Sequence, residues 1–256
     1  MSIGNQFESL IQTVERLRAP DGCPWDREQT SASLLPYFLE EIYEVMESVD
    51  HQDWNTLKEE LGDVLLHVVM QGVIAAEQKR FTLEDSLHMI LDKLIRRHPH
   101  VFGDQQAEAA FHAKQNWERE KHKEKGRKSR LDGVPPQLPA LLRAQRLQQK
   151  AAYAGFDWKT LKGVWEKVEE EIDEVREAMD GGIPERVEEE IGDILFSVVN
   201  LARFLGFSAE DALRKTNEKF IRRFQQVEAE LQARGKELEE ATLEEMDAIW
   251  NSAKGD

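Results

Sequence analysis

The sequence predicts an all-α protein, two tandem helical-bundle domains of about five helices each, related by internal duplication. Three observations carry this. Apolar residues recur at three- and four-residue steps, as in Leu57, Leu61, Val64, Leu65, Val68 and Val69. Only 15 Gly and 8 Pro punctuate 256 residues, and no stretch alternates cleanly at period two. Finally, an acidic pattern occurs twice at an offset of 130: Glu40, Glu41, Glu44, Glu60 and Asp63, then Glu170, Glu171, Glu174, Glu190 and Asp193. Glu59 and Glu189 also match.

In the first half the pattern predicts helices over roughly 5–18, 33–50, 54–78, 83–97 and 107–125. Pro36 suits an early position of the second, where its missing N–H is not needed. Asp53 suits a cap before the third, because a short acceptor side chain satisfies free N–H groups of a first turn. Thr82 followed by Asp85 reads as a capping pair before the fourth. The run Lys123–Arg130, then Gly133-Val134-Pro135-Pro136, is charged and rich in Gly and Pro, as linkers are. The expected domains are therefore 1–125 and 138–256, joined by 126–137.

The second half repeats the first beyond its acids. Val64–Val69 matches Ile194–Val199 at an offset of 130, whereas Phe81–Asp85 matches Phe207–Asp211 at 126. Lys93–Arg97 matches Lys219–Arg223 at the same 126. The four-residue difference is about one helical turn, expected to be lost from the end of the third helix. Trp117 and Lys121 share their spacing with Trp250 and Lys254. A long period that occurs only twice points to domain duplication rather than a solenoid.

Composition excludes several classes of function. With 34 Lys+Arg against 50 Asp+Glu the formal charge is −16, which repels nucleic-acid polymers and anionic membranes. Local basic pairs, Arg96-Arg97 and Arg222-Arg223, still suit a small anion. One cysteine, Cys23, excludes an internal disulfide and fits a reducing compartment; a lone thiol is more often a small hydrophobe than a nucleophile. No basic-then-apolar leader and no apolar run of ~20 residues is visible, so a cytoplasmic protein is expected.

The acids carry the chemistry. On a helix Glu41 and Glu44 are neighbours at i,i+3, as are Glu60 and Asp63, so two antiparallel helices can gather four carboxylates. A solvated face is the plainer account of any one acidic run. Against it, Asp63 and Asp193 each stand at the start of an apolar run with a Gly before them, and Gly costs a helix about 1 kcal/mol. Two carboxylates ~6 Å apart repel by about 0.7 kcal/mol in water and roughly 3 kcal/mol at an effective dielectric of ~20. A partly buried quartet therefore needs a cation or takes up protons. All-oxygen ligands favour Mg²⁺, with Mn²⁺ as substitute, over zinc. A di-iron carboxylate bundle needs Glu-x-x-His on two helices, and the chain has none. Walker A, G-x-S-x-G and GxGxxG patterns are absent too.

With Glu-Glu-x-x-Glu and Glu-x-x-Asp each present twice, the chain resembles the MazG-type, all-α nucleoside triphosphate pyrophosphohydrolases. Cys23-Pro24-Trp25-Asp26 with Gln29-Thr30, Arg97–Phe102, Gly155-Phe156-Asp157-Trp158 and Asn217–Phe220 share in the resemblance, which spans nearly the whole chain. It implies Mg²⁺-dependent cleavage of nucleoside triphosphates to monophosphate and pyrophosphate by a homodimer. It puts magnesium ligands at Glu171, Glu174, Glu190 and Asp193, with counterparts Glu41, Glu44, Glu60 and Asp63. Substrate contacts fall on Lys167, Glu170, Arg186, Glu189, Lys219, Arg223 and Trp250, and first-half equivalents are Glu40, Lys93, Arg96, Arg97 and Trp117. Lys and Arg suit departing pyrophosphate, and Trp offers a face to any base. Lys167 and Arg186 equally suit i,i+4 pairs with Glu171 and Glu190, and Trp250 a core. His98 and His100 suit turn ordering better than metal ligation. Glu170 and Glu189 are candidates for the general base, which the sequence does not single out.

At an offset of 130, Lys167 aligns with Tyr37 and Arg186 with Thr56, so the second half is the expected main catalytic unit. The leading function is hydrolysis of nucleoside triphosphates with broad base choice. The alternatives are a narrow dUTP or dCTP pyrophosphatase and a nucleotide-sensing module without turnover.

Overall fold

A computed structural model describes residues 2–103, 117, 118, 121, 124, 126 and 128–254. The chain divides into two compact units, residues 1–106 and 107–256. Among the described residues there are helices and turns but no strand.

The first unit contains α1 (Ile3–Arg18), α2 (Pro24–Glu28), α3 (Leu35–Asp50), α4 (Trp54–Glu77), α5 (Leu83–Arg97) and α6 (Pro99–Phe102). Four of the expected helices are present with ends shifted by at most two residues. Pro36 lies in the first turn of α3. The Asp53 carboxylate accepts from the N–H of Asn55 at 3.0 Å and of Thr56 at 3.1 Å. Thr82 and Asp85 cap α5 reciprocally, each side chain accepting from the other's backbone N–H. The short helices α2 and α6 were not expected. Each opens on a proline, but four or five residues are too few to show a period. The expected helix over 107–125 lies mostly outside the described residues.

Why this unit folds is read from α4. Val69, Met70, Val73 and Ile74 form one stripe, which buries itself against Val14 of α1 and Leu34 before α3. Gly72 lets α5 approach closely: a Cβ there would stand 2.9 Å from Leu83 Cδ1. Arg18 binds the Glu77 carboxylate at 2.8 and 2.7 Å and donates to the Asp26 carbonyl, so it ties α1 and α2 to the end of α4.

The second unit holds α7 (Ala140–Tyr153), α8 (Leu161–Gly181), α9 (Pro184–Phe204), α10 (Ala209–Ala233), a 3₁₀ turn (Leu238–Glu240) and α11 (Leu243–Ser252). α9 has 21 residues where α4 has 24, so the repeat does lose nearly a turn at the end of this helix. Gln145 joins α7 to the start of α10, donating to Phe207 O and accepting from Ala209 N, both at 2.9 Å. Val227, Leu231 and Ile249 form the core between α10 and α11. Residues 126–137, the expected linker, carry turns and no helix among those described.

Short turns reverse the chain between α3 and α4 and between α8 and α9, so each pair is an antiparallel hairpin. Gly182 closes α8 with φ +66°, a left-handed conformation that suits glycine. These two hairpins carry all the repeated acids.

Candidate metal centres

In the first unit α3 contributes Glu41 and α4 contributes Glu60 and Asp63; one carboxylate oxygen from each lies within 4.8 Å of the others. In the second, α8 contributes Glu171 and Glu174 and α9 contributes Glu190, on the same criterion. Each hairpin thus gathers three of the four acids expected of it. Glu44 and Asp193, the remaining members, are exposed beside their groups.

Crowding marks both sites. Glu60 is only 8% exposed. Burial, then a hydrogen-bonding contact with Glu44, then the charges of Glu44, Glu41 and Asp63 push its carboxyl up to about 7. Glu41 is also held above the usual carboxylate range, by burial first and then by Asp63 and Glu44. Glu174 is raised by its contact with Glu171, which only a protonated acid makes, and then by burial. With these acids ionised, Glu171 is 5% exposed and its Oε2 is buried without a hydrogen-bond partner. An orphaned carboxylate oxygen facing two more acids fits a hard divalent cation, which takes oxygen ligands. The donor sets therefore fit Mg²⁺ or Mn²⁺.

Cations distinguish the two hairpins. Lys167 Nζ sits 2.7 Å from Glu171 and 2.9 Å from Glu170, and these carboxylates, Glu171 first, hold its ammonium above the usual lysine range. Arg186 Nη2 lies 3.8 Å from Glu190. Both residues thus make the intrahelical pairs anticipated for them, at the rim of the acid group. In the first unit the corresponding Tyr37 meets Trp25 edge-on, centroids 5.9 Å apart, and Thr56 donates to the capping Asp53 at 2.9 Å. A histidine stands there instead. His67 Nε2 lies 3.8 Å from Glu41, with the ring stacked on Phe38. It was not anticipated. A histidine inside the apolar run Val64–Val69, where the repeat has Ser197, was the available signal.

The other expected contacts form separate groups. Arg223 lies over the Trp250 ring at 5.9 Å, Phe220 tilts against that ring at 5.1 Å, and Trp250 packs on the α10–α11 core. Lys219, one turn earlier on α10, is exposed, as are Glu170, Glu189 and, in the first unit, Glu40 and Arg96. Lys93 is half-buried and Arg97 is 4% exposed at the end of α5. Lys121 Nζ stands 4.6 Å over Trp117. His98 Nδ1 lies 2.7 Å from Leu94 O, so it orders the turn after α5.

Comparison with known proteins agrees with this duplicated geometry. The model of the MazG nucleotide pyrophosphohydrolase domain matches residues 29–102 and again 159–228. Both matched segments contain a complete acid set, and neither includes Trp117 or Trp250. The nucleoside triphosphate pyrophosphohydrolase/pyrophosphatase MazG of Thermotoga maritima is 48% identical over 254 residues, covering 98% of this chain and 97% of the relative. The nucleoside triphosphate pyrophosphohydrolase of Escherichia coli K12 is 48% identical over 256 residues, with the same coverage. The uncharacterized protein YabN of Bacillus subtilis is 44% identical over 253 residues, which make up 52% of its length.

Proposed function

The chain belongs to the MazG nucleotide pyrophosphohydrolase family, and from that premise we propose that it hydrolyses nucleoside triphosphates to monophosphate and pyrophosphate, with Mg²⁺ and a broad choice of base. It is an enzyme, a hydrolase acting on acid anhydrides. One observation carries the catalytic reading: three carboxylates converge on the α8–α9 hairpin, one with an orphaned buried oxygen, and a lysine waits 2.7 Å away.

Glu171, Glu174 and Glu190 would hold the cation, with Asp193 beside them. When bound, Mg²⁺ supplies Lewis acidity toward phosphate oxygens and acidifies water, and Mn²⁺ can stand in for it. Lys167, released from Glu171, and Arg186 neutralise charge on the departing pyrophosphate; Lys219 and Arg223 hold the rest of the polyphosphate. Glu170 and Glu189, exposed and each next in sequence to a ligand of the acid group, are the candidates to take the proton of the attacking water. The first unit, with its own acid group, is a second metal site whose Lys93, Arg96 and Arg97 are candidate contacts; Trp117, expected to join them, falls in the second unit.

The reading includes a homodimer. Leu61, Leu65 and Val68 on α4, and their counterparts Ile191, Leu195 and Val198 on α9, are all exposed beside the acids. Apolar stripes of this kind are covered in stable proteins, and a second copy presents the matching stripe. A mass measurement by light scattering checks it; a monomer at micromolar concentration removes the dimer. The proposal places the enzyme in the cytoplasm; no single helix among the described residues is long and apolar enough to cross a membrane.

An ATP digest tests the reaction. Attack at the α-phosphorus gives AMP and pyrophosphate with no ADP, and chelation by EDTA stops it. Accumulating ADP and orthophosphate would place attack at the γ-phosphorus, and full turnover in EDTA would remove the metal.

A further inference from the structure

Glu41 and Glu171 hold the same place in the two hairpins, yet different elements serve them. Glu171 is met by Lys167, one turn earlier on its own helix, at 2.7 Å. Tyr37, which matches Lys167, is turned to Trp25. The side chain that reaches Glu41 comes from the facing helix instead: His67 of α4, with Nε2 3.8 Å from Glu41 Oε1.

Packing fixes this ring. Phe38 of α3 stacks on it, centroids 5.5 Å apart and planes 14° from parallel. His67 is 9% exposed and interrupts an otherwise apolar run. In the other hairpin the matching pair is Val168 and Ser197. Ser197 Oγ donates to Ile194 O at 2.9 Å, so its polar group is satisfied within its own helix. His67 has no such internal outlet. A phenylalanine there would stack as well and bury no polar atom, so packing alone does not explain two buried ring nitrogens.

The second nitrogen locates the proton. His67 Nδ1 is buried and has no hydrogen-bond partner. A proton on Nδ1 would be an orphaned N–H, and a bare lone pair is the less costly way to leave a buried atom unmatched. The ring proton therefore belongs on Nε2, and that N–H faces Glu41. A nitrogen in this state has no lone pair to give a metal, so His67 serves the ligand and is not one itself. Asp63 and His67 are i,i+4 neighbours, which places this donor on the α4 face that carries Glu60 and Asp63.

The difference from Lys167 is one of charge. An ammonium beside Glu171 competes with an arriving cation. An imidazole with one ring proton brings no charge and can stay beside Glu41 when the cation is bound.

We propose that His67 is the positioning residue of the first centre: through Nε2–H it holds the Glu41 carboxylate in the orientation that ligates the ion. Partners of metal ligands commonly set affinity in this way. The inference rests on the metal reading of the first unit given above.

Mn²⁺ binding by the full chain, read by electron paramagnetic resonance, tests it. The background is Glu171→Gln with Glu174→Gln, where only the first acid group is whole. His67→Phe, which keeps the stack on Phe38, is expected to weaken this binding by about ten- to hundredfold. His67→Gln, which restores an N–H donor, should stay within about threefold of the parent, short of that loss. Melting in EDTA should be alike for His67→Phe and its parent, and the rise in Tm on adding Mg²⁺ should shrink; a purely structural role would lower the EDTA value instead and overturn the proposal. Nitrogen NMR of the His67 ring in the unaltered chain should find the proton on Nε2 both in EDTA and in Mg²⁺. Unchanged Mn²⁺ affinity in His67→Phe, equal weakening in His67→Gln, or a proton on Nδ1 would overturn the positioning role. Spin-echo coupling of the imidazole to bound Mn²⁺ would overturn it too, by making His67 a ligand. Absence of Mn²⁺ binding in this background would overturn the metal reading of the first unit and the role of His67 with it, leaving the α8–α9 centre untouched.

Discussion

Glu60 shows what gathering like charges does to one side chain. Its carboxyl titrates near 7 rather than 4.5, so the folded protein binds that proton more tightly than the unfolded chain does. The stabilising contribution is complete below 4.5 and is lost as pH rises through about 7. Asp53, Asp85, Glu77 and Glu245 are held below their ordinary values, so their contributions are present above the ordinary carboxylate range and fall only in acid. In EDTA, therefore, the urea midpoint of the first unit should drop between about pH 5 and about pH 8. Mg²⁺ should restore it at the upper end, because a cation then replaces the proton, and Glu60→Gln should flatten the profile. Equal midpoints at both ends without metal would mean the acids are not strained. At Lys167 the expectation is different. Its ammonium pairs with Glu171, and in the proposed reaction it would turn to the leaving group. Lys167→Met should lower kcat by roughly 10²-fold while Mn²⁺ affinity, read by electron paramagnetic resonance, does not weaken. A loss of metal binding alongside kcat would make Lys167 a support for the ligands instead. Single residues were the least legible level of the sequence. His67 has no repeat partner of its own type, and only packing reveals that it faces Glu41.

Helices and their ends were far more legible, because caps and stripes are local. Asp53, Thr82 and Pro36 each sit where short-range chemistry requires, and α3, α4 and α5 follow from them. What stayed hidden was short or depended on a neighbour. α2 and α6 have too few residues for a period, and the close approach of α5 to α4 is invisible until Gly72 is seen beneath Leu83. Gly62 and Gly192 are instructive by contrast. The sequence makes each a mid-helix liability, and in the fold an added Cβ meets nothing within 4 Å at either position. Gly72→Val should therefore destabilise the first unit by about 1–3 kcal/mol, the scale of overpacking. Gly62→Ala should stabilise its monomeric form by roughly 0.5–1 kcal/mol through helix propensity. Denaturant titrations of both variants decide this; a neutral Gly72→Val would mean that α5 simply shifts away.

At the scale of the whole chain, one duplication produced two hairpins with the same acids and different surroundings. The acid register was readable as a repeat, and the family model matches both copies. The inequality of the copies was readable only as substitutions, Lys167 for Tyr37 and Arg186 for Thr56, whose alternative duties the fold supplies. Tyr37 is engaged with Trp25, and Thr56 serves the α4 cap, so neither position retains a free role toward phosphate. A triphosphate carries nearly four negative charges, and a hairpin with His67 beside Glu41 has less to offer them than one rimmed by Lys167 and Arg186. Arg186 should weigh on kcat far more than on folding, since an exposed cation's helix pair adds at most about 1 kcal/mol of stability, whereas Lys167 neutralises the buried Glu171 and its removal also costs the fold until metal is bound. Glu171→Gln with Glu174→Gln should accordingly abolish pyrophosphate release by about 10²-fold or more. Glu41→Gln with Glu44→Gln, which removes no ligand of that centre, should leave activity within roughly twofold if the two sites act independently. Circular dichroism of both double variants keeps folding out of the comparison. A dead first-half variant beside an active second-half one would reverse the assignment of the catalytic unit, and equal partial losses would show that both hairpins turn over substrate.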